Sequence, residues 1–177
     1  MKRTEQARSL LVGKFEAKFV DGALRHFLDA TEKFEAQDWE GVAVKAGKFV
    51  ESVTKCLLVH CGRSVADARR FKAGNELRQL ESATSFPDTV RIVIPKACIT
   101  IYEIVNNRGG RHDASDIDAN EMDAKVLLPL SSWVLAELVR FSSSSADVQT
   151  ASALISELSP GGRPTSSTCG GLKLLHP

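Results

Sequence analysis

The chain has 177 residues, 43% of them hydrophobic, which is material for one globular core. Its 23 Lys and Arg against 22 Asp and Glu give a formal net charge of +1, so the molecule as a whole has no field that draws in nucleic acid or a membrane surface, and any anion binding must be local. Glu5, Lys14, Glu16 and Lys18 interrupt the first apolar residues before a signal-peptide core forms, and no run nears the roughly 20 apolar residues of a membrane span.

Residues 3–19 carry Leu10, Leu11, Phe15 and Phe19 at helical spacing and predict an N-terminal helix with a fraying first turn. In DGALRHFLDATEKFEAQ, Leu24, Phe27, Leu28, Thr31 and Phe34 share one face of a second helix. A third follows from Asp38, a suitable N-cap, to a stop at Gly62. Val42, Ala46, Phe49, Val53, Cys56 and Leu57 form its inner face, with Lys45, Lys48, Glu51 and Lys55 opposite. The short link at Gln37 and Asp38 makes these two an antiparallel pair. Arg63, Arg69, Arg70 and Lys72 then form a basic group, read as a solvated loop with a phosphate-contact surface as the alternative. A short helical piece runs from Asn75 to Glu81 with Leu77 and Leu80 inward.

VRIVIPKACITIYEIVNN is rich in strand-forming Ile and Val, yet Ile94, Cys98, Ile101 and Val105 keep helical spacing. A helix from Pro95 is expected, since proline is tolerated in a first turn. With Ile99, Ile101, Ile104 and Val105 around its circumference it belongs at the centre of a bundle or at a subunit contact. Gly109 and Gly110 stop it. The next helix starts near Asn120, with Glu121 and Asp123 at its positive end, and runs to Phe141; Pro129 should kink it or mark a late start. SSSS at 142–145 is a linker, DVQTASALISEL a last short helix, and residues 159–177 a flexible tail. Trp39 and Trp133 lie on or beside apolar faces and are read as core or subunit-contact anchors. No repeat and no convincing strand pair occur, so the fold class is an all-α helical bundle. It divides into an N-terminal helix at 1–19, a bundle at 20–142, a helix at 143–158 and the tail.

Cys56, Cys61, Cys98 and Cys169 form no Cys-x-x-Cys pair, and three lie in apolar stretches. They read as reduced thiols, mostly buried, of a cytoplasmic protein. His60 beside Cys61 has no second ligand pair and reads as packing. Asp116, Asp118 and Asn120 alternate like the opening of a calcium loop, but Glu121 stands where glycine is required and Leu127 where the closing Glu belongs. His112 with Asp113, Asp116 and Asp118 is better read as an acidic loop ahead of a helix N-terminus than as a metal site. No metal and no cofactor are expected.

The chemistry-bearing stretch is NNRGGRHDASDID, residues 106–118. Imidazole titrates near neutrality and can take a proton from a ribose 2′-hydroxyl; guanidinium stabilises the charge that builds on a phosphate under attack. Arg108 and His112 therefore form a candidate catalytic pair for metal-independent RNA cleavage, with Asn106 and Arg111 positioning the RNA backbone. The alternative is that Arg and His after a helix end merely interact with the helix dipole.

The pair of helices DATEKFEAQDWEGVAVKAGKFVESVTKCLL, the helix end IYEIVNNRGGRH and the acidic turn into DANEMDAKVLLPLSSWVLAELVRF resemble, in that order, the HEPN families of small all-α domains. The likeness covers roughly residues 20–142. It implies an Arg and a His at the end of a long central helix and a homodimer that brings two such sets into one cleft. It also implies endoribonuclease activity on RNA, with roles in bacterial antiviral defence or toxin–antitoxin systems and a protein partner there. This chain departs from the family pattern by carrying Val105-Asn106 where relatives carry Arg-Asn, and Arg108 leaves only three residues before His112. Either Arg108 substitutes from the next turn, or the site is degenerate and the domain is a noncatalytic dimerisation or binding module of a larger assembly.

Overall fold

A computed structural model describes residues 2–65, 70–108, 117–143 and 148–158. Among these there are seven α-helices and no strand. They are α1 (Lys2–Val12), α2 (Ala17–Glu35), α3 (Trp39–His60), α4 (Ala73–Gln79), α5 (Ile94–Asn106), α6 (Glu121–Ser142) and α7 (Val148–Ser156). A 3-10 turn at Leu80–Ser82 extends α4, and a π-helical turn at Thr89–Val93 leads into α5.

The antiparallel pair is present. Gln37 takes a positive φ of 57° to reverse the chain, and the Asp38 side chain accepts the Gly41 N–H at 2.8 Å to cap α3. Lys33 bonds the same carboxylate at 2.7 Å, and the two donors hold the Asp38 carboxyl below the usual carboxylate range. Gly62, at φ +72°, ends α3 as the spacing predicts. All six residues assigned to the inner face of α3 are buried.

Around this pair the other helices are layered. α5 packs against α3, α4 and α6, α1 against α2 and α6, and α7 against α6. The centre is filled by Phe27, Phe49, Leu57, Leu58, Ile101, Leu127 and Leu135, all fully buried. α1 adds Ala7 and Leu11 to the same core, and α7 adds Ala151, Leu154 and Ile155. The Ile-rich segment is helical and central: Ile94, Cys98 and Ile101 are inaccessible, whereas Ile99, Ile104 and Val105 are only partly covered.

Three expectations are corrected. The helix expected over 3–19 divides, because α1 ends at Val12 and the chain turns through Gly13 to Glu16 with Lys14 and Phe15 N–H on the Leu11 carbonyl. Phe15 thereby stays in the core although it leaves the helix. Helical winding before α5 begins ahead of Pro95, at the π turn; a proline ring crowds the carbonyl four residues back, and a wider turn relieves that. Finally, α6 runs through Pro129 from Glu121 to Ser142, with Pro129 on its exposed side, so proline marks no late start.

His60 lies 5.3 Å, centroid to centroid, from each of Phe15, Phe86 and Phe141 in edge-on contacts, which is the packing role expected of it. Cys56 and Cys98 are buried free thiols and Cys61 a half-buried one. Burial pushes the Cys56 thiol up to about 12 and also raises those of Cys98 and Cys61, so none is a ready thiolate.

His26 on α2 has a buried Nδ1 with no hydrogen-bond partner. Desolvation first, then Arg25 and Lys45, depress its pKa. The unfolded chain, with a histidine pKa of about 6.5, therefore takes up the proton before the folded one does. Stability is whole above that pH and declines as pH falls through it. The urea midpoint is expected to drop between about pH 7.5 and about pH 5.5, and less steeply in His26→Gln. An equal slope in the variant would assign the effect elsewhere.

Candidate functional site

The last turn of α5 and the first of α6 meet. Asn107, after α5, donates its backbone N–H to the Glu103 and Ile104 carbonyls, and its side-chain amide bonds the Glu103 carbonyl at 2.8 Å. At the start of α6, Asn120 Oδ1 accepts the Met122 and Asp123 N–H groups at 2.9 and 3.3 Å, while Asp123 Oδ2 accepts the Asn120 N–H at 3.2 Å. This is a reciprocal capping box. The other carboxylate oxygen of Asp123 takes Arg108 Nε at 3.1 Å, in a pair whose side chains are 34% and 11% exposed. One carboxylate thus caps α6 and anchors the guanidinium that follows α5.

Arg108 and Asn106 are therefore placed together at this junction. Arg111 and His112, with Gly109, Gly110, Asp113 and Asp116, lie outside the described residues. Val105, in the position the resemblance assigns to an arginine, faces Gly47 of α3; a Cβ added to Gly47 would stand 3.2 Å from Val105 Cγ1.

A groove with two lobes runs beside α5. The smaller, about 250 Å³, lies over α3 at Ala43, Gly47 and Lys48 and is closed by Tyr102, Val105, Asn106 and Arg108. The larger, about 540 Å³, is bounded by Lys55, Phe71, Lys72, Asn75, Arg78 and Glu103, and Glu51, Tyr102 and Asn106 belong to both. The lining holds the cations Lys48, Lys55, Lys72, Arg78 and Arg108 against the carboxylates Glu40, Glu51 and Glu103. Arg78 is paired with Glu103 at 2.9 Å and Arg108 with Asp123. Lys55 sits 4.7 Å over the Phe71 ring. Lys48, Lys55 and Lys72 make no ion pair among the described residues, and neither do Glu40 and Glu51, so the lining is of mixed charge with a small positive excess.

Lys72 of the basic group lines the larger lobe, Arg70 is exposed and Arg69 lies outside the described residues. Sequence reasoning missed the contribution of α3. The seven-residue step from Lys48 to Lys55, on the polar face of an otherwise buried helix, is the signal that could have found it. Asn120 and Asp118 belong to the start of α6, and no group of three His, Cys, Asp or Glu side chains is placed to hold a metal among the described residues. Trp39 packs edge-on against Phe34 at 5.5 Å as an anchor, but Trp133 is 40% exposed and no part of the core.

No helix among the described residues is long and apolar enough to cross a membrane. Comparison with protein-family models, with curated protein sequences and with solved structures gives no match to this chain. The fold and the groove define a class: an all-α helical bundle with a mixed-charge groove along its central helix.

Proposed function

We propose that the chain is a HEPN-like binding module that holds an RNA backbone along the α3–α5 groove without cutting it. The observation that carries this reading is the state of the Arg108 guanidinium. Arg108 is already engaged by Asp123, a largely buried carboxylate that also caps α6. A charge neutralised in this way stabilises a phosphorane poorly, and freeing it would disturb the cap. Val105 supplies methyl groups where the family's arginine would stand. The remaining lining suits backbone contact: Lys48, Lys55 and Lys72 for phosphate, Asn106 for a ribose or phosphate oxygen, and Tyr102 as a face on which a base can stack.

The second reading, a metal-independent endoribonuclease with Arg108 on the phosphate and His112 as general base, is favoured by one observation. Arg108 keeps a third of its side chain exposed and lines the groove. The two readings separate in a single assay. A fluorescent 12-nucleotide RNA is expected to bind with an affinity that falls as salt rises, less tightly to Lys48→Glu/Lys72→Glu, and to remain intact in EDTA. Products ending in a 2′,3′-cyclic phosphate, lost in His112→Ala, would establish the nuclease; absence of any salt-dependent binding would remove both.

A further inference from the structure

Glu51, Tyr102 and Asn106 stand at the junction of the two lobes, since all three line both. Tyr102 and Asn106, four residues apart, share one face of α5. Across the groove, Lys48, Glu51 and Lys55 follow one another along α3 at steps of three and four residues, a row in which one carboxylate separates two ammonium groups. A glutamate with a lysine four residues on is a favoured pair on a helix. Here that pair is not made. Lys55 lies over the Phe71 ring instead, and Glu51 has neither an ion pair nor a hydrogen bond among the described residues. Glu51 is half-buried, whereas Glu40, the other unpaired carboxylate of the lining, is exposed at its rim. The Tyr102 hydroxyl and the Asn106 amide are also without partners among the described residues.

A free carboxylate repels phosphate, so it is at odds with a surface that holds nothing but an RNA backbone. Its chemistry suits a base edge. A carboxylate accepts two hydrogen bonds side by side, and among the four RNA bases only guanine offers two adjacent donors, N1–H and N2–H, on its Watson–Crick edge. Adenine and cytosine set a ring-nitrogen lone pair beside their amino group, and uracil flanks its single N–H with two carbonyls. We propose that the junction is a guanine site, in which the base stacks on Tyr102 and Glu51 accepts N1–H and N2–H. Lys48 in one lobe and Lys72 in the other take the phosphates to either side. The larger lobe, about 540 Å³, has the volume of a small-molecule site. This assignment rests on the RNA-binding reading, to which it adds a choice of base.

The test uses the full chain and 12-nucleotide oligouridines whose central position is G, A or U. The G strand is expected to bind about tenfold more tightly than the others, as one bidentate base contact provides. Glu51→Gln removes a negative charge and should strengthen binding to every strand, but its amide offers one acceptor and one donor, which match N6–H and N1 of adenine. The preference should therefore pass from G to A, with the circular dichroism spectrum unchanged. A purely electrostatic role of Glu51 would raise all affinities alike. Calorimetry with guanosine and adenosine 5′-monophosphates examines the base without the strand, and the parent chain should favour the guanosine form by a similar factor. Salt-dependent binding that is equal for the three strands overturns the guanine site and leaves RNA binding standing. So does a G preference that Glu51→Gln leaves unchanged. A chain that takes the guanosine monophosphate selectively but no RNA would remove the RNA reading and keep the site for free nucleotides, and binding of neither removes both.

Discussion

Replacing Phe49 with alanine is expected to remove about 3–5 kcal/mol of folding stability, measured by urea unfolding followed by circular dichroism. The side chain is fully buried at the contact of α3 with α2, its ring 6.1 Å from that of Phe27. Truncation loses the transfer free energy of the ring and the aromatic contact, and leaves a space that the long, well-anchored helices α2 and α3 cannot collapse to fill. Since domains of this size are stable by only about 5–15 kcal/mol, such a loss brings the variant near its threshold at 37 °C. Phe34→Ala, at a partly covered position near the α2–α3 turn, should cost much less. Equal losses at the two positions would mean that the α2–α3 contact is not the centre of the core.

The larger effect on chemistry is expected from Val105→Arg. Position 105 packs closely on Gly47, where a Cβ would stand only 3.2 Å from Val105 Cγ1, and it lines the smaller lobe, into which an arginine stem would extend. Its guanidinium would arrive beside Asn106 and Lys48 in a lobe that also holds Glu40 and Glu51, and it would not be tied to a helix cap as Arg108 is by Asp123. Two N–H donors on the non-bridging oxygens would stabilise the developing phosphorane charge, and His112 would take the 2′-hydroxyl proton. The attacking 2′-oxygen bonds phosphorus, the 5′-oxygen leaves and takes a proton from water to become a hydroxyl, and a 2′,3′-cyclic phosphate remains. An oxyanion-stabilising donor contributes about 10²–10³ in rate, so cleavage by the variant in EDTA should exceed that of the parent by at least that order. Val105→Arg/His112→Ala should return to the parental level. RNA that stays whole in Val105→Arg, although bound more tightly, would show that position 105 does not stand in for the family's arginine.

How far the sequence could be read depended on whether a signal was local. Asp38 with Gly41, and Asn120 with Asp123, are contacts three residues apart, and both helix starts were visible in the residue order alone. The inner face of α3 followed equally from its period. Gly13 to Glu16 did not, because Phe15 and Phe19 keep helical spacing across a turn, Phe15 reaching the core from the turn and Phe19 packing on it from α2. Pro129 misled in the opposite sense. Packing of Leu127, Leu128, Ser131 and Leu135 on both sides of it holds α6 continuous where the local preference is to break. At the candidate site, residue types were readable and pairings were not. Nothing near Arg108 in the chain announces that Asp123, fifteen positions on, takes its charge. Nor does the α3 side of the groove declare itself until α5 is laid across it.

The ring cluster at His60 gathers Phe15 from the turn after α1, Phe86 from the approach to α5, and Phe141 from the end of α6. During synthesis on the ribosome the α2–α3 hairpin can close as soon as its own residues emerge, since its contacts are near neighbours in sequence. The ring cluster has to wait until residue 141 has cleared the exit tunnel. Until then Phe15 and His60 stand open to solvent, and a nascent chain halted between 100 and 140 would offer chaperones a sticky, half-closed intermediate.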